Sequence, residues 1–170
     1  MRENQMVKPA LQPAIAPLML QGMTTCGDGI FTSIQPTCEA DEGIIINSCM
    51  SIYEALADHE GKVIQVENVL CHETVSPNQR TGEPERWMRT VLFTPEGKGF
   101  ECGSVGVLKS LYLLSHKWKP LPWKPPLALT VRTGKTNDGN NWMWVELSVE
   151  HLKSNAKEAE KPAGPAGKGK

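Results

Sequence analysis

Apolar and polar residues alternate over several short stretches of this chain, which is the pattern of β-strands with one buried face. In Lys62–Leu70 the apolar Ile64 and Val66 alternate with the polar Gln65 and Glu67, and Gly61 marks the start of the pattern. Turn-forming residues, such as those of Pro95–Gly99, separate one stretch from the next. The pattern therefore predicts five strands, at Lys62–Leu70, Trp87–Thr94, Gly99–Cys102, Leu127–Thr133 and Trp142–Val149.

One helix is predicted between the third and fourth of these strands. From Ser104 to His116 apolar residues recur at helical spacing, and the proline-rich segment Pro120–Pro126 ends the helix. Three strands, a helix and a final hairpin make up the element order of the OB-fold. We therefore predict a mainly β fold, a five-stranded OB-fold barrel with one helix between strands 3 and 4. A small α+β sheet is the main competing fold.

We predict that residues 1–49 form a partly irregular N-terminal arm, because prolines interrupt its first part and forbid a long helix there. The segment Pro9–Met23 is nevertheless apolar, so we expect it to pack either on its own domain or on a partner. Ile30–Ile34 is strand-like. Ser51–Asp58 carries capping-box spacing at its start and predicts a short helix.

The length of 170 residues allows one domain with extensions at both ends. Residues 50–152 are the predicted OB-fold domain. Residues 153–170, rich in Ala, Gly, Pro and Lys, are a predicted disordered basic tail. The formal net charge of the whole chain is −1, so any attraction to a polyanion must come from one face of the molecule.

The cysteines predict neither a metal site nor a disulfide framework. They are widely spaced, odd in number and without a C-x-x-C pair, so we expect no metal, no cofactor and reduced thiols in a cytoplasmic protein. No apolar run approaches the ~18 residues of a membrane span. The proline-broken start does not match a signal peptide, so no membrane association is expected.

Aromatic surface and positive charge coincide between Ser104 and Trp144, where four of the five tryptophans stand beside six basic residues and one acid. Bases of a single strand stack on indoles, and Lys and Arg attract phosphates, so this combination indicates single-strand nucleic-acid binding. The alternative is that the tryptophans are core residues and the bases solvate a surface. The candidate nucleic-acid-binding residues are Arg80, Arg86, Trp87, Arg89, Lys109, Lys117, Lys119, Lys124, Arg132, Lys135, Trp142 and Trp144.

Trp142 and Trp144 stand two residues apart on a predicted strand, so both indoles face the same side. Met143 and Val145 face the other side. Which of these two faces belongs to the core cannot be decided from the alternation alone. Trp123 stands among prolines, and packing against them in a loop is the simpler explanation for it.

Four segments of the core resemble the small single-stranded DNA-binding proteins of bacteriophages, a family with an OB-fold. The segments are Thr81–Glu83 with Arg89–Leu92, Pro95–Cys102, Ser104–Leu111 and Pro122–Leu127. The resemblance covers about half of the chain. It implies binding of single-stranded DNA without strong base preference, a role in phage replication or recombination, and proteins of those processes as partners. The basic C-terminal tail departs from the acidic tail with which replication-type members recruit partners.

Two other functions compete with this one. The domain could be a protein-interaction or assembly module whose apolar N-terminal arm docks on another copy or on a partner. Catalysis would need a nucleophile such as Cys102 with His72 or His116 as its base, and nothing in the sequence places them together. We therefore predict that the protein is not an enzyme and has no catalytic residues.

Overall fold

The computed structural model describes residues 20–27, 29–78, 81–137, 139–150 and 152–153. Within these residues the chain forms nine β-strands and two α-helices, together with a 3₁₀ helix at Leu56–His59. The helices are α1 (Glu39–Met50) and α2 (Val105–Lys117). The strands are β1 (Thr24–Thr25), β2 (Ile30–Thr32), β3 (Glu54–Ala55), β4 (Val63–Val66), β5 (Asn68–Pro77), β6 (Pro84–Phe93), β7 (Gly99–Cys102), β8 (Leu127–Lys135) and β9 (Asn141–Leu147).

The strands form two sheets. The large sheet has the order β1-β2-β5-β6-β7-β3, and the small sheet has the order β4-β8-β9. The strand predicted at Lys62–Leu70 is divided between them, because the chain changes sheets at Glu67. The Glu67 N–H donates to the Phe93 carbonyl in the large sheet at 2.9 Å, and the Glu67 carbonyl accepts from the Trp123 N–H at 2.9 Å.

The main core lies between the two sheets and α2. It includes Val69 and Leu92 of the large sheet, Leu129 and Val131 of the small sheet, and Leu111 of α2. A second, smaller apolar cluster lies on the outer face of the large sheet, where Ile45 of α1 covers residues of β5 and β6. Its buried members are Ile45, Leu70, Val91 and Phe93. The large sheet is therefore covered on both faces over part of its length.

The fold is mainly β, as predicted, but the closed five-stranded barrel is not confirmed. No strand of one sheet pairs with a strand of the other within the described residues. Instead α2 lies beside β9, where the Ser104 hydroxyl donates to the Met143 carbonyl at 2.8 Å. Gly106 permits this approach, because a Cβ there would lie 2.2 Å from that carbonyl oxygen. A helix therefore lies beside the strand edge that would have to pair to close a barrel.

The N-terminal region contains a helix that the pattern did not predict. Helix α1 spans Glu39–Met50, whereas the helix predicted at Ser51–Asp58 is replaced by β3 and the 3₁₀ helix. Ser51 ends α1 rather than beginning a helix: its N–H and hydroxyl donate to the Asn47 carbonyl at 2.9 and 2.8 Å. The capping-box spacing was therefore misleading, because Glu54 joins a strand and forms an ion pair with Lys98 at 2.9 Å.

The end of the apolar segment Pro9–Met23 packs on its own domain. Leu20 and Met23 belong to the main core, and the Gln21 carbonyl accepts from the Leu121 N–H at 2.8 Å. The strand-like Ile30–Ile34 forms β2, which pairs with β5. The rest of Pro9–Met23 and nearly all of the predicted tail lie outside the described residues. The division of the chain at residues 49 and 152 stays a prediction. Neither described helix has the length and apolar character needed to cross a bilayer.

Candidate nucleic-acid interface

Strand β9 separates its core residues from its indoles. Met143, Val145 and Leu147 pack in or against the main core, so Trp142 and Trp144 lie on the opposite face. Both indoles are half-buried, and neither belongs to the buried clusters. The face of β9 with Met143 and Val145 is therefore the core face, and the opposite face carries the indoles.

Trp144 lies across β8 beside Gly134. A Cβ on Gly134 would lie 3.3 Å from Cζ3 of the Trp144 ring, so the glycine provides a flat backing for the indole. An open cleft of about 330 Å³ lies here, and it is lined by Gly134, Lys135, Thr136, Trp142 and Trp144. Apolar ring surface thus meets solvent next to a lysine.

Trp142 packs against the first turn of α2. A Cβ on Gly106 would lie 2.7 Å from Cε2 of this indole, so the ring contacts the helix backbone directly. The Lys109 ammonium lies one helical turn further on, 5.5 Å from the centroid of the Trp142 ring. This distance is within the range of a cation–π interaction. An aromatic face and a positive charge therefore lie side by side here.

Trp87 lies on the outer face of the large sheet and spans several strands. Its Nε1 donates to the Ser76 hydroxyl on β5 at 3.0 Å. At its other end Cε3 would lie 2.9 Å from a Cβ on Gly103, just after β7. The ring therefore lies flat along the sheet, and the side chain is 38% exposed. The hydrogen bond fixes the ring while its outer π-face stays open to solvent.

Two of these indoles lie at one short loop, and the third follows along β9. Trp87 contacts Gly103 and Trp142 contacts Gly106, and three residues of chain span at most about 11 Å. Trp144 follows Trp142 at two residues along a strand, about 7 Å away. We call Trp87, Trp142 and Trp144 the aromatic row. Sequence reasoning missed the three glycines behind it, although two glycines so close to a predicted helix start could have signalled a close approach.

Three of the predicted basic residues lie beside the aromatic row. Lys109 is above Trp142, Lys135 lines the cleft, and Arg132 is the strand partner of Trp144. Arg132 forms an ion pair with Glu146 at 2.8 Å. Among the residues that the structure describes, Lys109 and Lys135 form no ion pair, so both ammonium groups are available to an anion.

The other basic residues that were predicted to bind nucleic acid do not lie beside the aromatic row. Arg86 faces away from Trp87 and pairs with Glu73 at 3.2 Å. Lys124 pairs with Glu67 at 3.1 Å. Lys117 and Lys119 stand at the far end of α2, about 12 Å or more along the helix from Lys109. Arg80 lies outside the described residues.

Arg89 has a different environment from the one expected of a phosphate contact. Its side chain is only 10% exposed. The guanidinium donates to the Cys49 carbonyl at 2.9 Å, to the Ser51 carbonyl and to the Glu101 carboxylate. It therefore satisfies carbonyls at the C-terminal end of α1, which have no intrahelical partner and favour a cation. We leave Arg89 out of the candidate surface for this reason.

The two remaining tryptophans differ from the row. Trp123 is fully buried in the main core and donates from Nε1 to the Lys119 carbonyl at 2.8 Å. Trp118 is 43% exposed at the C-terminal end of α2. The alternative that the tryptophans are core residues therefore holds for one of the five, whereas the other four are at least partly exposed.

Two titratable side chains of the large sheet, His72 and Cys102, are uncharged at neutral pH. Burial, and then the nearby Arg89, lower the pKa of His72 on the outer face of β5. Desolvation raises the pKa of Cys102 to about 11, so the thiol considered as a nucleophile stays protonated. No group of His, Cys, Asp and Glu suited to a metal ion occurs within the described ranges.

A mainly β domain that carries open indole faces beside unpaired lysines is typical of a single-strand nucleic-acid-binding protein. A family model described as phage single-stranded DNA-binding protein, of the Phi29 type, matches residues 25–148. The chain belongs to this Phi29 phage single-stranded DNA-binding protein family. No curated protein and no solved structure matches the chain significantly.

Proposed function

We propose that this protein binds single-stranded DNA by stacking bases on the aromatic row. The observation that carries the proposal is the flat, half-exposed placement of Trp87 against Ser76 and Gly103, with Trp142 packed at Gly106 three residues further along the chain. Fixed rings lose little conformational freedom when a base stacks on them. Every base has a π-face, so such binding has little sequence preference.

Phosphates would be held by the lysines beside the row. Lys109 can leave the face of Trp142 for a phosphate, and Lys135 borders the cleft without a carboxylate partner among the described residues. Arg132 would have to exchange Glu146 for a phosphate and is the weaker candidate. The remaining predicted contacts at Arg86, Lys117, Lys119 and Lys124 are not part of this surface.

We further propose that the two sheets are an opened relative of the OB-fold. The first strand contributes to both sheets through β4 and β5, and α2 stands between the third and fourth strands of the core, as in that fold. Family membership supports action in phage DNA replication or recombination, in the host cytoplasm, with proteins of those processes as partners.

The direct test of this proposal compares DNA substrates at two salt concentrations. A labelled oligothymidine should be bound at low salt, and the matched duplex should be bound at least about tenfold more weakly because its bases are not free to stack. Binding should weaken as salt rises. Failure to bind any single strand at low salt would contradict the proposal.

Lys109→Ala and Lys135→Ala should each reduce the salt dependence of oligothymidine binding. Loss of one phosphate contact on a single strand lowers the slope of log K against log salt by about 0.7. Lys124→Ala is the matched control, since this lysine pairs with Glu67 away from the row. Equal slopes for all three variants would exclude Lys109 and Lys135 as phosphate contacts.

Gly103→Ala should weaken binding without unfolding the protein. The new Cβ would lie 2.9 Å from Cε3 of Trp87, so the indole must tilt away from the sheet. We expect affinity to fall about fivefold, the lower end of the effect of losing one stacked base. Gly43→Ala, which meets no atom within 4 Å, is the control.

Gly103→Ala in a chain that already carries Trp87→Ala tests whether the effect on binding acts through the Trp87 ring. If the methyl group acts only through Trp87, then Gly103→Ala should have no further effect in a Trp87→Ala chain. An equal loss in both backgrounds would mean that the loop itself contacts DNA.

A further inference from the structure

Helix α1 presents an exposed stripe that is acidic at one end and apolar at the other. Its members are all exposed and are spaced by three or four residues along the helix, so they form one surface. Ile46 is 56% exposed and Met50 is 71% exposed. We call this surface the α1 stripe, and it consists of Glu39, Glu42, Ile46 and Met50.

Helix α2 presents a stripe of the opposite sign. Leu113 is 57% exposed, and Lys117 follows it by one helical turn on the same face. Trp118 and Lys119 follow directly at the helix end, and both are exposed. The stretch Cys102–Asn137 contains no Asp or Glu, so the surrounding sequence adds no negative charge. We call Leu113, Lys117, Trp118 and Lys119 the α2 stripe.

The two stripes match when the helices are antiparallel. Glu42 and Ile46 are four residues apart, as are Lys117 and Leu113 in the reverse direction, which is about 6 Å in each helix. Antiparallel docking therefore places carboxylate beside ammonium and isoleucine beside leucine. It also sets the positive N-terminal end of α1, with its acids, against the C-terminal end of α2 with its bases.

One copy of the chain does not make this contact, because α1 covers the outer face of the large sheet and α2 lies beside β9 of the small sheet. We propose that the α1 stripe of one copy docks on the α2 stripe of the next copy. Such an interface joins two different surfaces, so it can repeat into an open row of copies. The exposed apolar side chains at both stripes would then leave water.

The contact is small and therefore weak in free solution. Copies held side by side on one DNA strand would meet at a much higher effective concentration. Neighbouring copies would then bind cooperatively, a consequence that rests on the proposed function, whereas the contact itself does not. Since the aromatic row lies at the N-terminal end of α2, the α2 stripe stays free in a DNA-bound copy.

Charge reversal with complementation tests the contact in the full chain without DNA. One variant is Glu39→Lys with Glu42→Lys, and the other is Lys117→Glu with Lys119→Glu. Sedimentation velocity over a protein concentration series should detect association of the wild type and at least about tenfold weaker association of each variant alone. An equimolar mixture of the two variants should associate again, because each carries the partner that the other needs.

Asp58→Lys with Glu96→Lys is the matched control, since both acids are exposed away from the two stripes and the change in net charge equals that of the first variant. This control should associate like the wild type. A wild type that is monomeric throughout would overturn the proposal and leave the α1 stripe to another occupant. Variants that associate normally, or a mixture that stays monomeric, would overturn it as well.

DNA binding provides an independent measurement. Both charge-reversed variants should bind an oligonucleotide that accommodates one copy with an affinity within about threefold of the wild type, yet bind long strands without cooperativity. Failure of the proposed function would instead abolish oligonucleotide binding in the wild type and leave the sedimentation result unchanged.

Discussion

A chain with Trp87→Ala, Trp142→Ala and Trp144→Ala should bind oligothymidine at least about 100-fold more weakly than the wild type. Stacking on one aromatic side chain contributes about 1–3 kcal/mol per base. Three contributions at the lower limit add up to about 3 kcal/mol, and tenfold in affinity corresponds to about 1.4 kcal/mol. Fluorescence anisotropy of a labelled oligothymidine at low salt measures this loss.

The single variants distinguish the members of the row. Trp87 and Trp144 lie flat over glycine with an open face, so each single change should weaken binding between about fivefold and 150-fold. Trp142→Ala should also destabilise the fold, because that ring packs on the first turn of α2. Trp118→Ala is the control on an oligothymidine that accommodates one copy, as this exposed indole stands at the other end of α2. A triple variant within threefold of the wild type would refute base stacking on the row.

Arg89→Ala should lower the free energy of unfolding by about 3 kcal/mol. Removing one partner of a buried ion pair leaves the other uncompensated and typically costs about 3–5 kcal/mol. Here Glu101 stays partly hydrated, which favours the lower end, while the carbonyls of Cys49 and Ser51 lose their donor. Urea unfolding followed by circular dichroism measures the difference.

The control for this effect is Arg86→Ala. Arg86 forms an exposed ion pair with Glu73, and such pairs contribute about 0–1 kcal/mol. Arg89→Ala should leave the salt dependence of oligothymidine binding unchanged below its unfolding transition. A stable variant whose salt slope falls by about 0.7 would instead identify Arg89 as a phosphate contact.

The strands of the core could be predicted because each buries one face. The alternation at Trp142–Val149, for example, located β9 to within two residues at its end. It did not reveal which face the indoles occupy, because that depends on the helix and strands packed against the other side. The closed barrel was expected from element order alone, whereas the position of α2 against β9 depends on contacts such as that of Gly106 with Met143.

Helix α1 could not be predicted from the apolar pattern, and the reason is physical. Of the three consecutive isoleucines at 44–46 only Ile45 is buried, so the apolar pattern is not one-sided and gives no helical period. The role of Arg89 was equally hidden, since its partners Cys49 and Ser51 are 40 and 38 residues away in sequence. The basic residues were recognised as a group, but only the fold separates Lys109 and Lys135 from those that pair with acids or stand elsewhere.

The most direct test of the account is photocrosslinking of the full chain to a single strand that carries 5-iodouracil, followed by mass spectrometry of the adducts. Iodouracil bases couple to the aromatic side chains on which they stack. We expect adducts at Trp87, Trp142 or Trp144, and none at Trp123, which is fully buried. Adducts confined to Trp118, or found only at residues away from the aromatic row, would contradict the proposed DNA path.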